Sequence, residues 1–165
     1  MTTTVPRRRR GAVVLALAVA VLPGCGRKAS IEEHRVTAVV REYNLALPRF
    51  YANRSLERLK GATTANEQER LENLIDALGK AGRALDTRQE ALEVKGIKLF
   101  EPSELADVET EETWWYRHLD PVTRAVVQPP KRLRYALRYR LVQRDGRWLI
   151  DRIDMLRSED IPVAD

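Results

Sequence analysis

Near residue 93 the spacing of apolar residues changes from a helical period to a strand period. Upstream, Val36, Val39, Val40, Tyr43 and Leu47 recur three and four apart, which lines one face of a helix. Ser30-Ile31-Glu32-Glu33 precedes them as a capping box, in which hydroxyl and carboxylate satisfy each other's exposed backbone amides. Pro48 lacks an amide hydrogen, so the helix is expected to bend or restart there, with Phe50, Leu56 and Leu59 carrying the apolar side on to Gly61. A second capping box, Thr64-Ala65-Asn66-Glu67, is expected to open a longer helix with one stripe of Leu71, Leu74, Ile75, Leu78, Ala81 and Leu85. A short link over residues 61–63 would join the pair.

Downstream the period is two. Val94, Ile97 and Leu99 predict a short strand ending before Pro102. Over residues 105–118, Ala106, Val108, Thr110, Glu112, Trp114 and Tyr116 share one face, and Asp107, Glu109, Glu111, Thr113, Trp115 and Arg117 the other. Residues 119–130 hold Asp-Pro and Pro-Pro without a sustained pattern and read as a loop. Leu133, Tyr135, Leu137, Tyr139 and Leu141 then alternate against Arg132, Arg134, Ala136, Arg138 and Arg140. Asp145-Gly146 predicts a hairpin turn into a last strand over residues 147–155 and a polar tail. Either Asp151 or Arg152 must point inward or sit at an edge. Helices followed by antiparallel strands give an α+β fold, an N-terminal helical pair on one face of a sheet of about four strands.

The formal charge of +5 suggests a nucleic-acid partner until its distribution is considered. Arg7 to Arg10 carry four of the 29 basic residues, and no acidic residue precedes Glu32. Without residues 1–24, 25 basic residues stand against 24 acidic ones, a net of +1. Nucleic-acid affinity rests on neutralising phosphates, so no nucleic-acid partner is expected.

Residues 1–10 are polar and positive, and residues 11–22 (GAVVLALAVAVL) are an apolar run of 12. About 20 apolar residues are needed to cross a bilayer, so this head-and-run pattern reads as a secretory signal. Leu22-Pro23-Gly24-Cys25 follows, and Cys25 is the chain's one cysteine. The quartet resembles the lipobox of bacterial lipoproteins, with proline a less usual residue at its second position. The resemblance implies cleavage between Gly24 and Cys25, a diacylglyceryl group on the Cys25 sulfur, and a palmitate-bearing anchor in the lipid bilayer. Each buried methylene contributes about 0.8 kcal/mol, so several acyl chains hold the product to the membrane. Gly26 stands where inner-membrane retention would carry Asp, so the same resemblance favours the periplasmic face of the outer membrane. With one cysteine, no internal disulfide can form, and stability must come from a packed core. The expected organisation is a signal peptide over 1–24, a lipidated linker over 25–30, the α+β domain over 31–157 and a tail over 158–165.

The order of elements, and the ending RYRLVQRDGRWLIDRI over residues 138–153, resemble the nuclear transport factor 2-like superfamily, a cone of curved sheet around helices. Its members include ketosteroid isomerases, polyketide cyclases, assembly domains of secretion systems and catalytically silent modules, so the fold does not deliver a function.

Glu112 shares a face with Trp114 and Tyr116, and the resemblance places the family's cavity on that side, faced also by Tyr135 and Tyr139. A carboxylate among aromatics would have a raised pKa and could act as a general base. Alternatively Glu112 lies near the open end of the sheet, paired with a helix Arg or solvated. Glu112, Trp114, Tyr116, Tyr135 and Tyr139 are therefore the ligand-binding candidates. On the opposite face, acidic residues 107, 109 and 111 are expected beside Arg132, Arg134, Arg138 and Arg140, either as a solvated ladder that fixes register or as a docking surface. Trp115, Arg134 and Arg138 are the partner-binding candidates there. The two histidines, His34 and His118, show no metal or dyad spacing, and neither a Gly-rich phosphate loop nor a nucleophile elbow occurs. No cofactor or metal is expected. Three functions follow: a non-catalytic envelope lipoprotein that binds a partner protein or a small apolar ligand; an isomerase- or cyclase-like enzyme with Glu112 as base; or an assembly module that docks through Trp115 and loop 119–130.

Overall fold

The computed structural model describes residues 30–100 and 104–162. Cys25, the leader before it, Pro102 and the last three residues lie outside the described residues.

The first helix, α1 (Ile31–Asn53), opens on the expected capping box: the Ser30 hydroxyl accepts from the Glu33 amide, and the Glu33 carboxylate accepts from the Ser30 amide. Val36, Val40, Tyr43, Leu47 and Phe50 form its buried stripe. The helix does not restart at Pro48 but runs on as one element to Asn53. Leu47 and Phe50, buried on either side of the proline, hold the last turns against the sheet, and packing of this kind outweighs local propensity. Arg54 then ends the helix in the left-handed conformation, its amide donating to the Phe50 carbonyl at 2.7 Å.

The link to α2 (Ala65–Lys80) is longer than predicted, spanning residues 54–64, and buries Leu56 and Leu59. Its end runs beside the last strand, where Ile150 donates to the Ala62 carbonyl and accepts from the Thr64 amide. The second capping box does not form. Thr64 makes no cap bond through its side chain, and its hydroxyl donates instead to Asp151 at 2.9 Å. The helix stops before Ala81, so Leu85 belongs to the sheet rather than to the helical stripe; Gly82, at φ +64°, turns the chain.

Four antiparallel strands follow in sheet order β1-β2-β3-β4: β1 (Ala84–Phe100), β2 (Leu105–Leu119), β3 (Val126–Arg144) and β4 (Arg147–Ile161). The first begins ten residues before Val94, because residues 84–93 pair with β2 despite their polar character. The expected loop over 119–130 shrinks to 120–125, tied by three bonds from Val122 and Thr123 to the Asp120 carboxylate. Pro129 and Pro130 are strand residues. Among the described residues neither proline lies opposite a registered partner in β2 or β4, so no ladder bond there calls on the amide hydrogen that proline lacks. The last strand extends past Met155 to Ile161, into the stretch expected as tail. Asp145 (φ +50°) and Gly146 (φ +74°) form the expected tight hairpin turn.

Irregularities in register after Gln89, Val94, Tyr116, Ala136 and Arg140 bend the strands. The helix α1 touches both edge strands, β1 and β4, so the sheet curves around it. Core side chains come from the α1 stripe, from Leu71 and Ile75 of α2, and from Val108, Tyr139, Leu141, Trp148 and Ile150 of the concave face. Burying each such side chain is worth roughly 1.5–3 kcal/mol, which a chain without a disulfide needs.

Candidate functional site: a cavity between helices and sheet

The predicted inward faces of β2 and β3 do meet the helices, but the core does not fill the whole cone. A cavity of about 380 Å³ remains between α1, α2 and the concave face. Its apolar wall is built by Leu47, Leu74, Leu85, Leu137, Ile153 and Met155, and Tyr51, Trp114, Tyr116 and Tyr135 add aromatic wall. Its polar end holds Tyr43, Asn44, Glu112 and Tyr139, and Arg70, Thr87 and His118 complete the lining. All five residues singled out on the inward face, Glu112, Trp114, Tyr116, Tyr135 and Tyr139, therefore border one space.

Glu112 is neither paired with a helix arginine nor wet. It is 1% exposed and accepts four hydrogen bonds. Tyr139 Oη (2.7 Å) and Thr110 Oγ1 (2.8 Å) donate to Oε1, while Trp114 Nε1 (2.7 Å) and Gln89 Nε2 (3.1 Å) donate to Oε2. The donors at Oε2 are N–H groups, while both partners of Oε1 are hydroxyls, so the four bonds fix the carboxyl group from three strands. Asn44 ties this cluster to α1, its Nδ2 donating to the Val40 carbonyl and to Tyr139 Oη, both at 3.0 Å.

A second buried carboxylate went unread in the sequence. Glu67, fully buried in the first turn of α2, accepts from Tyr43 Oη at 2.5 Å and from both Nε and Nη2 of Arg70 at 2.7 and 2.6 Å. The spacing Glu67, Leu71, Leu74 places it on the inward side of the helix, but the Thr64-to-Glu67 pattern offered a capping role instead. This pairing raises the pKa of the Arg70 guanidinium, burial opposing it.

The phenols do not supply a base. Burial, reinforced by the neighbouring carboxylates, pushes Tyr43 and Tyr139 well above their ordinary range, and burial pushes Tyr135 up to about 12. Tyr43 and Tyr139 already donate to Glu67 and Glu112, and their oxygens accept from Arg70 Nη2 at 3.3 Å and Asn44 Nδ2 at 3.0 Å. His118 follows Glu112, Trp114 and Tyr116 in strand parity, a signal that could have placed it on the wall. Its ring stands edge-on to Tyr116 at 5.9 Å, and its Nδ1 is enclosed without a hydrogen-bond partner among the described residues. Burial, then the charges of Arg83 and Lys131, lower its pKa, so the imidazole is neutral at neutral pH. Among the described residues no group of His, Cys, Asp and Glu is placed to hold a metal ion.

The partner-binding candidates lie on the convex face, where the acidic and basic rows meet. Arg140 holds Asp107 through two bonds, Arg138 holds Glu109 at 2.8 and 3.1 Å, and Arg134 reaches Glu159 at 3.7 Å. Trp115 lies between the guanidinium groups of Arg88 (4.5 Å) and Arg117 (5.3 Å). Of the undecided pair on β4, Asp151 turns to the start of α2 and Arg152 to Asp154 in solvent.

No family model matches the chain, and no curated relative does. Among solved structures, it is similar to the intermembrane space region of the chloroplast protein ARC6, with a TM-score of 0.63 at 16% identity over 74% of this chain and 95% of that one. A conserved protein from Planctomyces limnophilus (TM-score 0.49, 11% identity, 76% and 98% covered) and a hexachlorocyclohexane dehydrochlorinase, LinA type 2 (0.48, 10%, 79% and 89%), overlay too loosely to carry an argument. The likeness is one of fold alone: a helical pair in the hollow of a four-stranded antiparallel sheet.

Proposed function

We propose that the chain is a cell-envelope lipoprotein, anchored through acylated Cys25, whose domain holds a small, largely apolar ligand in the cavity without transforming it. The observation that carries this reading is the commitment of Glu112. A general base needs a lone pair directed at the proton it removes, and both Glu112 oxygens already accept two hydrogen bonds each. Using Glu112 as a base would first require pulling its hydrogen-bond partners away in a buried place. What remains is an open, mainly apolar and aromatic recess with a preorganised polar end, the general character of a small-molecule site. On the convex face, by contrast, the cationic candidates spend their charge on neighbours within the sheet, which makes a docking role there less economical.

The anchor is supported by the basic head, the apolar run and the lipobox-like quartet ending in Cys25. Among the described residues no helix is long and apolar enough to cross a membrane.

Calorimetry tests the cavity. The full chain, in nanodiscs of phosphatidylcholine with empty discs as blank, is titrated with 4-phenylbutanol, a neutral probe with an aromatic body and one hydroxyl. Saturable heat is expected, and Leu137→Trp, which fills the wall from β3, should abolish it. Heat no greater than that of empty discs, or binding unaffected by Leu137→Trp, rejects the reading.

A further inference from the structure

Resting on that reading of the cavity, we infer that its ligand is an organic cation, an ammonium group carried on an apolar body. The charge balance of the walls leads there. Glu112 is 1% exposed, and the four groups hydrogen-bonded to it (Tyr139, Thr110, Trp114 and Gln89) are all neutral. Among the described residues no ion pair reaches it within 4 Å; every basic partner described pairs with another acid. Arg70, the one guanidinium in the lining, is matched by Glu67, which takes both its Nε and its Nη2. The remaining titratable wall residue near neutrality, His118, is uncharged, and the Arg83 and Lys131 cations that bear on it form no part of the lining. The cavity wall therefore holds one acid with no cationic partner among the described residues, in a poorly solvated place where Coulomb attraction to a cation is far stronger than in water.

The rest of the wall suits a cation as well. Tyr51, Trp114, Tyr116 and Tyr135 supply ring systems, whose negative faces attract ammonium groups. At the polar end the hydroxyls of Tyr43 and Tyr139 donate to Glu67 and Glu112 and accept from Arg70 Nη2 (3.3 Å) and Asn44 Nδ2 (3.0 Å), so neither has a hydrogen to offer an anion. An anionic ligand would meet an acid and phenols with no hydrogen to give; an ammonium would meet ring faces and an acid that has no cationic partner among the described residues.

Three probes of the same body separate this inference from the reading beneath it: 4-phenylbutylammonium, 4-phenylbutanol and 4-phenylbutyrate, titrated into the full chain in the same uncharged discs. The ammonium is expected to bind at least about tenfold more tightly than the alcohol, and the carboxylate most weakly. In Glu112→Gln the ammonium should lose that advantage while the alcohol still binds. Equal affinity for ammonium and alcohol overturns the inference and leaves the cavity reading standing. Tightest binding of the carboxylate overturns it in favour of an Arg70-directed anion. Binding of none of the three removes both. If circular dichroism shows that Glu112→Gln does not fold, Tyr135→Leu decides, since the Tyr135 ring lines the wall without a described hydrogen bond. Its loss should narrow the ammonium's advantage at least about threefold, and an unchanged advantage overturns the inference.

Discussion

Strand parity identifies the side on which Glu112 sits but not its company, because the donors arrive from three strands: Gln89 from β1, Trp114 and Thr110 from its own β2, and Tyr139 from β3. Removing that carboxylate leaves four donors facing one another in a buried space. Glu112→Ala should therefore cost about 3 kcal/mol or more, the penalty of stranding several buried polar groups at once. The midpoint of urea unfolding reads it, and a loss below about 1 kcal/mol would mean that water replaces the carboxylate freely. Glu67 was less legible still. A Thr three residues ahead of a Glu is the local signature of a capping box, and only the tertiary neighbours Tyr43 and Arg70 reveal that the side chain turns inward. His118 supplies a pH test. Unfolded, its ring titrates near about 6.5; folded, burial and two nearby cations hold it lower. Stability from this group is thus complete above that value and fades as the pH falls through the folded one, since the unfolded chain takes up its proton first. The unfolding midpoint of the parent should drop more between pH 7.5 and 5.5 than that of His118→Asn. Equal drops would show that the ring is solvated.

At the scale of elements, periodicity locates what is buried on one face and fails where packing takes over from pattern. The alternation of β2 and β3 was readable because each has a dry and a wet side. The first half of β1, LDTRQEA, is an edge segment whose side chains are only partly covered, so it carries no clean period. The helical stripe ran on into Leu85 because an inward strand residue there happens to keep the helical interval. Proline was a poor guide for reasons outside local sequence: burial of Leu47 and Phe50 carries the helix past Pro48 without a restart, and among the described residues Pro129 and Pro130 lie opposite no registered partner. The hairpin between β3 and β4 is the opposite case. Asp145 and Gly146 both need positive φ, and the dipeptide states as much. Gly146→Ala should cost about 1 kcal/mol through the left-handed backbone alone, since nothing lies within 4 Å of an added Cβ. Thermal unfolding measures it, and an unchanged midpoint would mean that the turn relaxes into another type.

For the molecule as a whole, the cavity borders the second half of α1, while the proposed anchor would join the chain ahead of its first residue. From Cys25 to Ser30 the chain can extend at most about 18 Å, so the start of the helix would stay close to the lipid surface. A helix rises about 1.5 Å per residue, which puts Tyr43 roughly 18 Å and Tyr51 roughly 30 Å along the axis from Ile31. Both line the cavity, together with His118 near the end of β2 and Leu85 near the start of β1, so the recess belongs to the end of the cone remote from the tether. A ligand would then arrive from the aqueous side rather than from the bilayer. Two expectations follow from one geometry. Cys25→Ser should abolish incorporation of radiolabelled palmitate in cells. Inserting eight Gly-Ser residues between Arg27 and Lys28 should keep the label and leave the affinity for 4-phenylbutylammonium in nanodiscs within about twofold, or about 0.4 kcal/mol. Label that persists in Cys25→Ser removes the anchor from its proposed place. Affinity that rises steeply with the longer spacer would mean that the bilayer covers the mouth of the cavity, reversing the orientation deduced from α1.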